Sequence, residues 1–195
     1  MKRIFPMSTC RFFRLVLLGL LFLLAGNRES FARNATIEEF IVTNSSTDLL
    51  VFFTVRNAFT REMEEGIRNG IPVTFTFQVE LSRKRKTWLN KGIVSHAVAQ
   101  TLSYDNLKEE YSVLRQGSAA PVFRTRSLAE AKKAMSQVNG MAVLPLAALV
   151  PEAEYLLRVK ARLDEKTLPF SFHYLIPFWN LWNFETGWYS VEFRY

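Results

Sequence analysis

The sequence predicts a mainly β domain with two short helices, arranged as an antiparallel β-sandwich, and three observations predict it. Apolar residues recur at every second position in several runs, β-branched and aromatic residues are abundant, and the connections between runs are short. An immunoglobulin-like arrangement is one form that such a sandwich takes.

The clearest run sets Val73, Phe75, Phe77, Val79 and Leu81 against Thr74, Thr76, Gln78 and Glu80. Successive side chains of a strand point to opposite faces, so this pattern describes one buried and one wet face. Tyr155, Leu157, Val159, Ala161 and Leu163 repeat it against Arg158, Lys160, Arg162 and Asp164. Further strands are expected at 36–42, 49–56, 93–102, 111–115, 122–126, 141–146 and 188–193. Residues 49–55 are apolar on both faces, which places that strand centrally.

Two stretches change period. Phe59, Met63 and Ile67 lie four apart and predict a helix over 58–69 that stops at Asn69-Gly70. Ser127 followed by Glu130 has the spacing of a capping box, and Leu128, Ala131, Met135 and Val138 form an apolar stripe behind it. The second helix is expected to end at Asn139-Gly140, with the glycine as a left-handed cap. Helix, Asn-Gly and strand thus occur twice, and reuse of helix-ending chemistry explains this with less than an internal duplication does.

The first 32 residues carry an address. Lys2, Arg3, Arg11 and Arg14 precede an apolar run at 15–25, and Ser30-Phe31-Ala32 supplies small residues two apart. That order is an export signal, with cleavage expected after Ala32. A membrane-spanning helix needs about 20 apolar residues, so an inner-membrane anchor over residues 12–26 is the alternative. Residues 33–195 are then expected to form a single β-rich domain.

Setting the signal aside changes the global numbers. The chain has 25 Lys and Arg against 18 Asp and Glu. Five of the bases and one of the acids lie in the signal, leaving 20 against 17, a net +3. The high isoelectric point is therefore no argument for nucleic acid, and no nucleic-acid partner is expected. Cys10, the only cysteine, lies before the apolar run. The exported domain is thiol-free and must hold together by packing rather than by disulfides.

No catalytic constellation is legible. His96 and His173 are the only histidines, and neither has a second ligand at metal-binding spacing. No nucleophile elbow, phosphate loop or dinucleotide fingerprint occurs. Glu62, Glu64 and Glu65 read as a solvated helix face that suits the positive end of the helix dipole. Catalytic, cofactor and metal residues are all expected to be none. Two regions offer contact surfaces instead. Arg83, Lys84, Arg85 and Lys86, with Trp88 beside them, form a basic hairpin tip suited to an anion or a membrane surface; the alternative is a solvated tip that blocks edge pairing. Phe178, Trp179 and Trp182 crown an aromatic segment broken by Pro169 and Pro177, which either covers the core or faces a partner or membrane. Tyr189, Val191, Phe193 and Tyr195 alternate to the end of the chain, as an edge strand does; the closing strand of an outer-membrane barrel has the same alternation.

The block 59–75, with Arg68-Asn69-Gly70-Ile71-Pro72 at its centre, the basic turn ending at Trp88, the 104–113 segment, and Leu168-Pro169 followed by Trp179, Trp182 and Trp188 resemble a family of exported proteobacterial proteins known as domain of unknown function 4390. The resemblance covers nearly all of the exported part. It implies a bacterial envelope location and, because some relatives are encoded beside a membrane sensor kinase, a signalling partner of that kind. It transfers no catalytic residue. Three classes of function follow: a non-catalytic periplasmic interaction or sensory accessory module, ranked first; a membrane- or lipid-contacting envelope protein; and a hydrolase with a composite site.

Overall fold

Two antiparallel sheets face each other in the computed structural model, which describes residues 35–85, 89–117, 121–164 and 184–195. The predicted export signal and the segment bearing Phe178, Trp179 and Trp182 lie outside the described residues. The smaller sheet has the order β1-β2-β7, from β1 (Thr36–Asn44), β2 (Asp48–Arg56) and β7 (Gln137–Pro145). The larger has the order β6-β5-β4-β3-β8-β9, from β3 (Val73–Arg83), β4 (Lys91–Asp105), β5 (Glu110–Arg115), β6 (Phe123–Thr125), β8 (Glu154–Leu163) and β9 (Tyr189–Arg194). Every predicted strand is present, and the mainly β antiparallel class holds. Residues 49–55 are indeed central, since β2 pairs with β1 on one side and β7 on the other.

The period-two rows become the core. Phe75, Phe77, Val79 and Leu81 of β3 lie between the inner rows of β4 and β8, with Leu157, Val159 and Ala161 directly opposite on β8. Leu49, Val51, Phe53 and Val55 of β2 close the core from the other sheet. Phe53 meets Phe77 edge to face at 5.5 Å between ring centroids, and Phe40 of β1 meets Tyr189 of β9 at 5.0 Å. Burying such side chains contributes about 1.5–3 kcal/mol each, and ring pairs add about 0.5–1.5 kcal/mol.

The two helices sit where the chain crosses between sheets. α1 (Arg61–Arg68) joins β2 to β3, and α2 (Leu128–Ser136) joins β6 to β7. Thr60 caps α1 by accepting from the Met63 amide at 3.2 Å. At its other end the Gly70 amide donates to Ile67 and the Ile71 amide to Gly66. That is the Schellman arrangement, and Gly70 takes the left-handed φ of +82° it requires. Phe59, one residue before the cap, packs its ring 5.0 Å from Phe75.

The second Asn-Gly behaves differently. α2 ends at Ser136 and the chain turns straight into β7, so Asn139-Gly140 lies inside a strand rather than capping a helix. Val51 pairs with Met141 and Phe53 with Val138, which leaves Asn139 and Gly140 together opposite Phe52. This is a bulge, with Gly140 at a φ of +69° supplying the left-handed residue. Helical spacing through Val138 was misleading because Val138 is also an inner-face strand position, and the core claimed it in that role. The two Asn-Gly pairs do different work, so they give no support to duplication. The predicted capping box is also only half formed: Ser127 accepts from the Glu130 amide at 3.4 Å, while the Glu130 carboxylate accepts from Thr125 Oγ1 at 2.5 Å.

Gly140 is a test of this geometry. A Cβ there would stand 3.4 Å from Phe52 Cζ on a backbone that L residues avoid. Gly140→Ala is expected to destabilise the domain by about 1–2 kcal/mol in urea unfolding, whereas Gly92→Ala, with nothing near the new methyl, should stay within about 0.5 kcal/mol of the parent. Equal effects at both positions would refute the bulge.

Candidate functional site

The inner row of β4 runs Val94, His96, Val98, Gln100, Leu102, opposite Leu81, Val79, Phe77, Phe75 and Val73 of β3. Of the two polar residues in this row, Gln100 is the buried one, beside Leu102: it is only 3% exposed, and its side-chain oxygen is buried with no hydrogen-bond partner. An orphaned buried acceptor costs about 1–3 kcal/mol. Across the β4–β5 ladder its direct partner is Arg115, which shares the inward side with Tyr111 and Val113. Arg115 makes no ion pair among the described residues, and it is half-buried.

These two side chains border a cleft of about 320 Å³ between β7 and the β4–β5 pair. Val98 and Met141 give it apolar walls, and Asn139 and Gly140 of the bulge form the facing side. The Gln116 amide donates to the Ala99 carbonyl at 2.9 Å, which holds the strand end in place. Gly117 then turns the chain with a φ of +73°.

A second, wider groove of about 670 Å³ lies between the end of β2 and α2. Three of its four charged lining residues are paired. Arg56 reaches Glu38 at 3.4 Å and Glu39 at 3.0 Å, and Lys132 pairs with Glu64 of α1 while its ammonium stands 5.5 Å from the centre of the Phe59 ring. Glu39 sits at a β1 bulge with a φ of +54°, an unusual value for glutamate. The Thr54 hydroxyl, donating at 2.8 Å, and then the Arg56 charge hold the Glu39 carboxyl below the ordinary glutamate range. This groove is a seam between two locally matched sets of charge, Arg56 with Glu38 and Glu39 inside the small sheet and Lys132 with Glu64 between the helices.

The residues singled out by sequence fall elsewhere. Arg83 ends β3, where its backbone faces Lys91 and Tyr155. Lys84 is neutralised: its ammonium donates to Glu192 at 2.7 Å and lies 3.9 Å from Glu154, and the Glu192 bond raises its pKa. Arg85 is exposed, and Lys86 and Trp88 lie outside the described residues. Arg158 pairs with Glu80 and Lys160 with Glu185, and Trp188 lies 5.0 and 5.7 Å from these two cations. His96 is a half-buried position opposite Val79, and His173 lies outside the described residues. Among the described residues no cluster of three His, Cys, Asp or Glu could hold a metal. The three helix acids separate as well. Glu64 pairs across to Lys132 and Glu65 with Arg61; backbone hydrogen bonding at the helix start and then Thr60 lower the Glu62 pKa.

Gln100 and Arg115 were not found by sequence reasoning. The available signal was a glutamine in an otherwise inward-facing row, two positions before Leu102, and its meaning depends on register with β5.

The model of the domain of unknown function DUF4390 matches residues 32–192. The chain belongs to that family. No curated protein and no solved structure matches it. The DUF4390 match spans both sheets and both helices, so the cleft beside β7 and the charged seam both lie within the family domain.

The seam yields a pH prediction. A carboxyl whose folded pKa is depressed adds stability above its unfolded pKa, and that stability is lost as pH falls through the folded pKa. Glu39→Gln is therefore expected to lower the denaturation midpoint at pH 7, with the two proteins converging as pH falls below the ordinary glutamate value of about 4.3 and through the depressed folded pKa. A constant offset across that range would refute the role given to Glu39.

Proposed function

We propose that this DUF4390 domain is an exported, non-catalytic interaction or sensory accessory module of the bacterial envelope, acting beside a membrane protein of the sensor-kinase kind. The observation that carries the reading is the cleft between β7 and the β4–β5 pair, where a buried amide oxygen with no hydrogen-bond partner and a guanidinium with no ion pair among the described residues belong to directly opposite positions. Elsewhere among the described residues most charged side chains meet a partner of opposite sign or serve the fold. A polar pair held ready on a rigid sheet suits recognition, since strand-borne side chains keep their geometry without a ligand.

Three of the four sheet edges favour recognition by side chains over strand addition, the fourth, β9, being the regular one. β1 carries the Glu39 bulge, β7 carries the Gly140 bulge and ends at Pro145, and β6 has three residues. Each feature interrupts the row of free backbone groups that an added strand needs.

The export signal supports the location. Fractionation of the native host is expected to recover the protein without residues 1–32, released by osmotic shock and still soluble after a salt wash. A photoreactive residue in place of Gln116, on the cleft rim, should cross-link one repeated envelope protein. Retention in a salt-resistant membrane pellet would favour the lipid-contacting reading instead, and cross-links to abundant bystanders alone would overturn the accessory reading.

A further inference from the structure

We propose that the cleft between β7 and the β4–β5 pair binds a small carboxylate with an adjacent amide N–H, Arg115 holding the carboxylate and the Gln100 side-chain oxygen accepting from the N–H. This deepens the reading of the cleft as the binding surface and rests on it. Residues directly opposite in an antiparallel ladder carry Cβ atoms about 4.5–5.5 Å apart on one face, and Gln100 and Arg115 are such a pair. A guanidinium only donates and matches a carboxylate with its planar fork. The Gln100 oxygen only accepts, and it has no partner. The ligand must therefore bring an anionic acceptor and a donor a few ångströms apart, which is the end of an N-acyl amino acid.

Size and wall chemistry narrow the class further. A cleft of about 320 Å³ lies at the small end of the range of ligand sites, about 300–1,000 Å³. Val98, Val138 and Met141 line it with apolar surface, which fits an aliphatic side chain between the two polar anchors. The same chemistry is carried by a free N-acyl amino acid and by the C-terminus of a peptide.

The test uses the purified full chain and N-acetyl-L-valine, followed by amide chemical-shift changes. Saturable shifts are expected at residues around Gln100, Arg115 and Asn139. N-acetyl-L-proline keeps the carboxylate and lacks the N–H, and N-acetyl-L-valinamide keeps the N–H and lacks the charge; each should bind at least about tenfold more weakly. Arg115→Gln and Gln100→Met should each weaken N-acetyl-L-valine by a similar factor. Gln100→Met removes the orphaned oxygen, so it should fold at least as stably as the parent, and Arg115→Gln alters a half-buried strand end as an independent probe. Tighter binding of Ala-Ala-Val than of N-acetyl-L-valine assigns the site to peptide ends, and the reverse assigns it to free acyl amino acids. Absence of saturable shifts with either probe at about 10 mM, or binding unchanged by both substitutions, overturns the proposal and leaves the Gln100 oxygen to a resident water. Binding by the purified protein is independent of export and of cross-linking, so failure here and failure of the envelope reading are told apart.

Discussion

The edge-to-face contact of Phe53 with Phe77 is the interaction on which the architecture rests. Each sheet alone would expose an apolar face, and three or six strands without a covering layer leave that surface in water. Placing Phe53 in the middle strand of the small sheet and Phe77 in an interior strand of the large one brings the two faces together at their centres. The fully buried row on β3 then has apolar partners on β8 and across the sandwich. No disulfide helps, since the only cysteine is Cys10.

From that contact the helices follow as crossings. The chain leaves the small sheet through α1 and returns to it through α2, and each crossing must turn sharply while still covering the core. Met63, Ile67, Ala131 and Met135 are fully buried and do the covering. The pair Glu64 and Lys132, with Phe59 beneath the ammonium, links one crossing to the other. Because both charges are partly buried, the pair is screened less than a surface pair is. The return into β7 costs the strand its regularity: the bulge at Asn139-Gly140 takes up the extra residue, and Gly140 allows Phe52 to lie close against the backbone.

Strands were legible because their signal is local: one buried face and period two suffice, and the rows of β3 and β8 state it without ambiguity. Charge pairing was not legible. Arg158 and Lys160 read as a cationic strand face, yet Glu80 is their neighbour's residue on β3 and Glu185 comes from beyond the described end of β8. Lys84 read as part of a basic tip, yet Glu154 and Glu192 reach it from two later strands. Such pairs depend on register between segments up to 108 residues apart, and no spacing within one segment encodes that. The same reason hid Gln100 and Arg115, and it explains the mistaken end of α2. At Val138 a helical stripe and a strand row make the same demand, and only the pairing with Phe53 decides between them.

The cleft beside β7 therefore follows from the bulge as much as from the side chains that border it. A regular strand would set a side chain opposite Phe52; β7 instead slips register there, as it does again between Ala142 and Leu144, and the slip at Phe52 puts Asn139 and Gly140 on the wall facing Gln100. Bulges are common where a sheet must re-aim a side chain or end its pairing. Here one backbone irregularity does both, blunting the free edge of β7 and bordering the only described cleft that contains an unsatisfied buried acceptor. The polar pair sits there because the β4–β5 ladder is regular at that height, so Gln100 and Arg115 are held by ordinary strand geometry while the opposite wall departs from it.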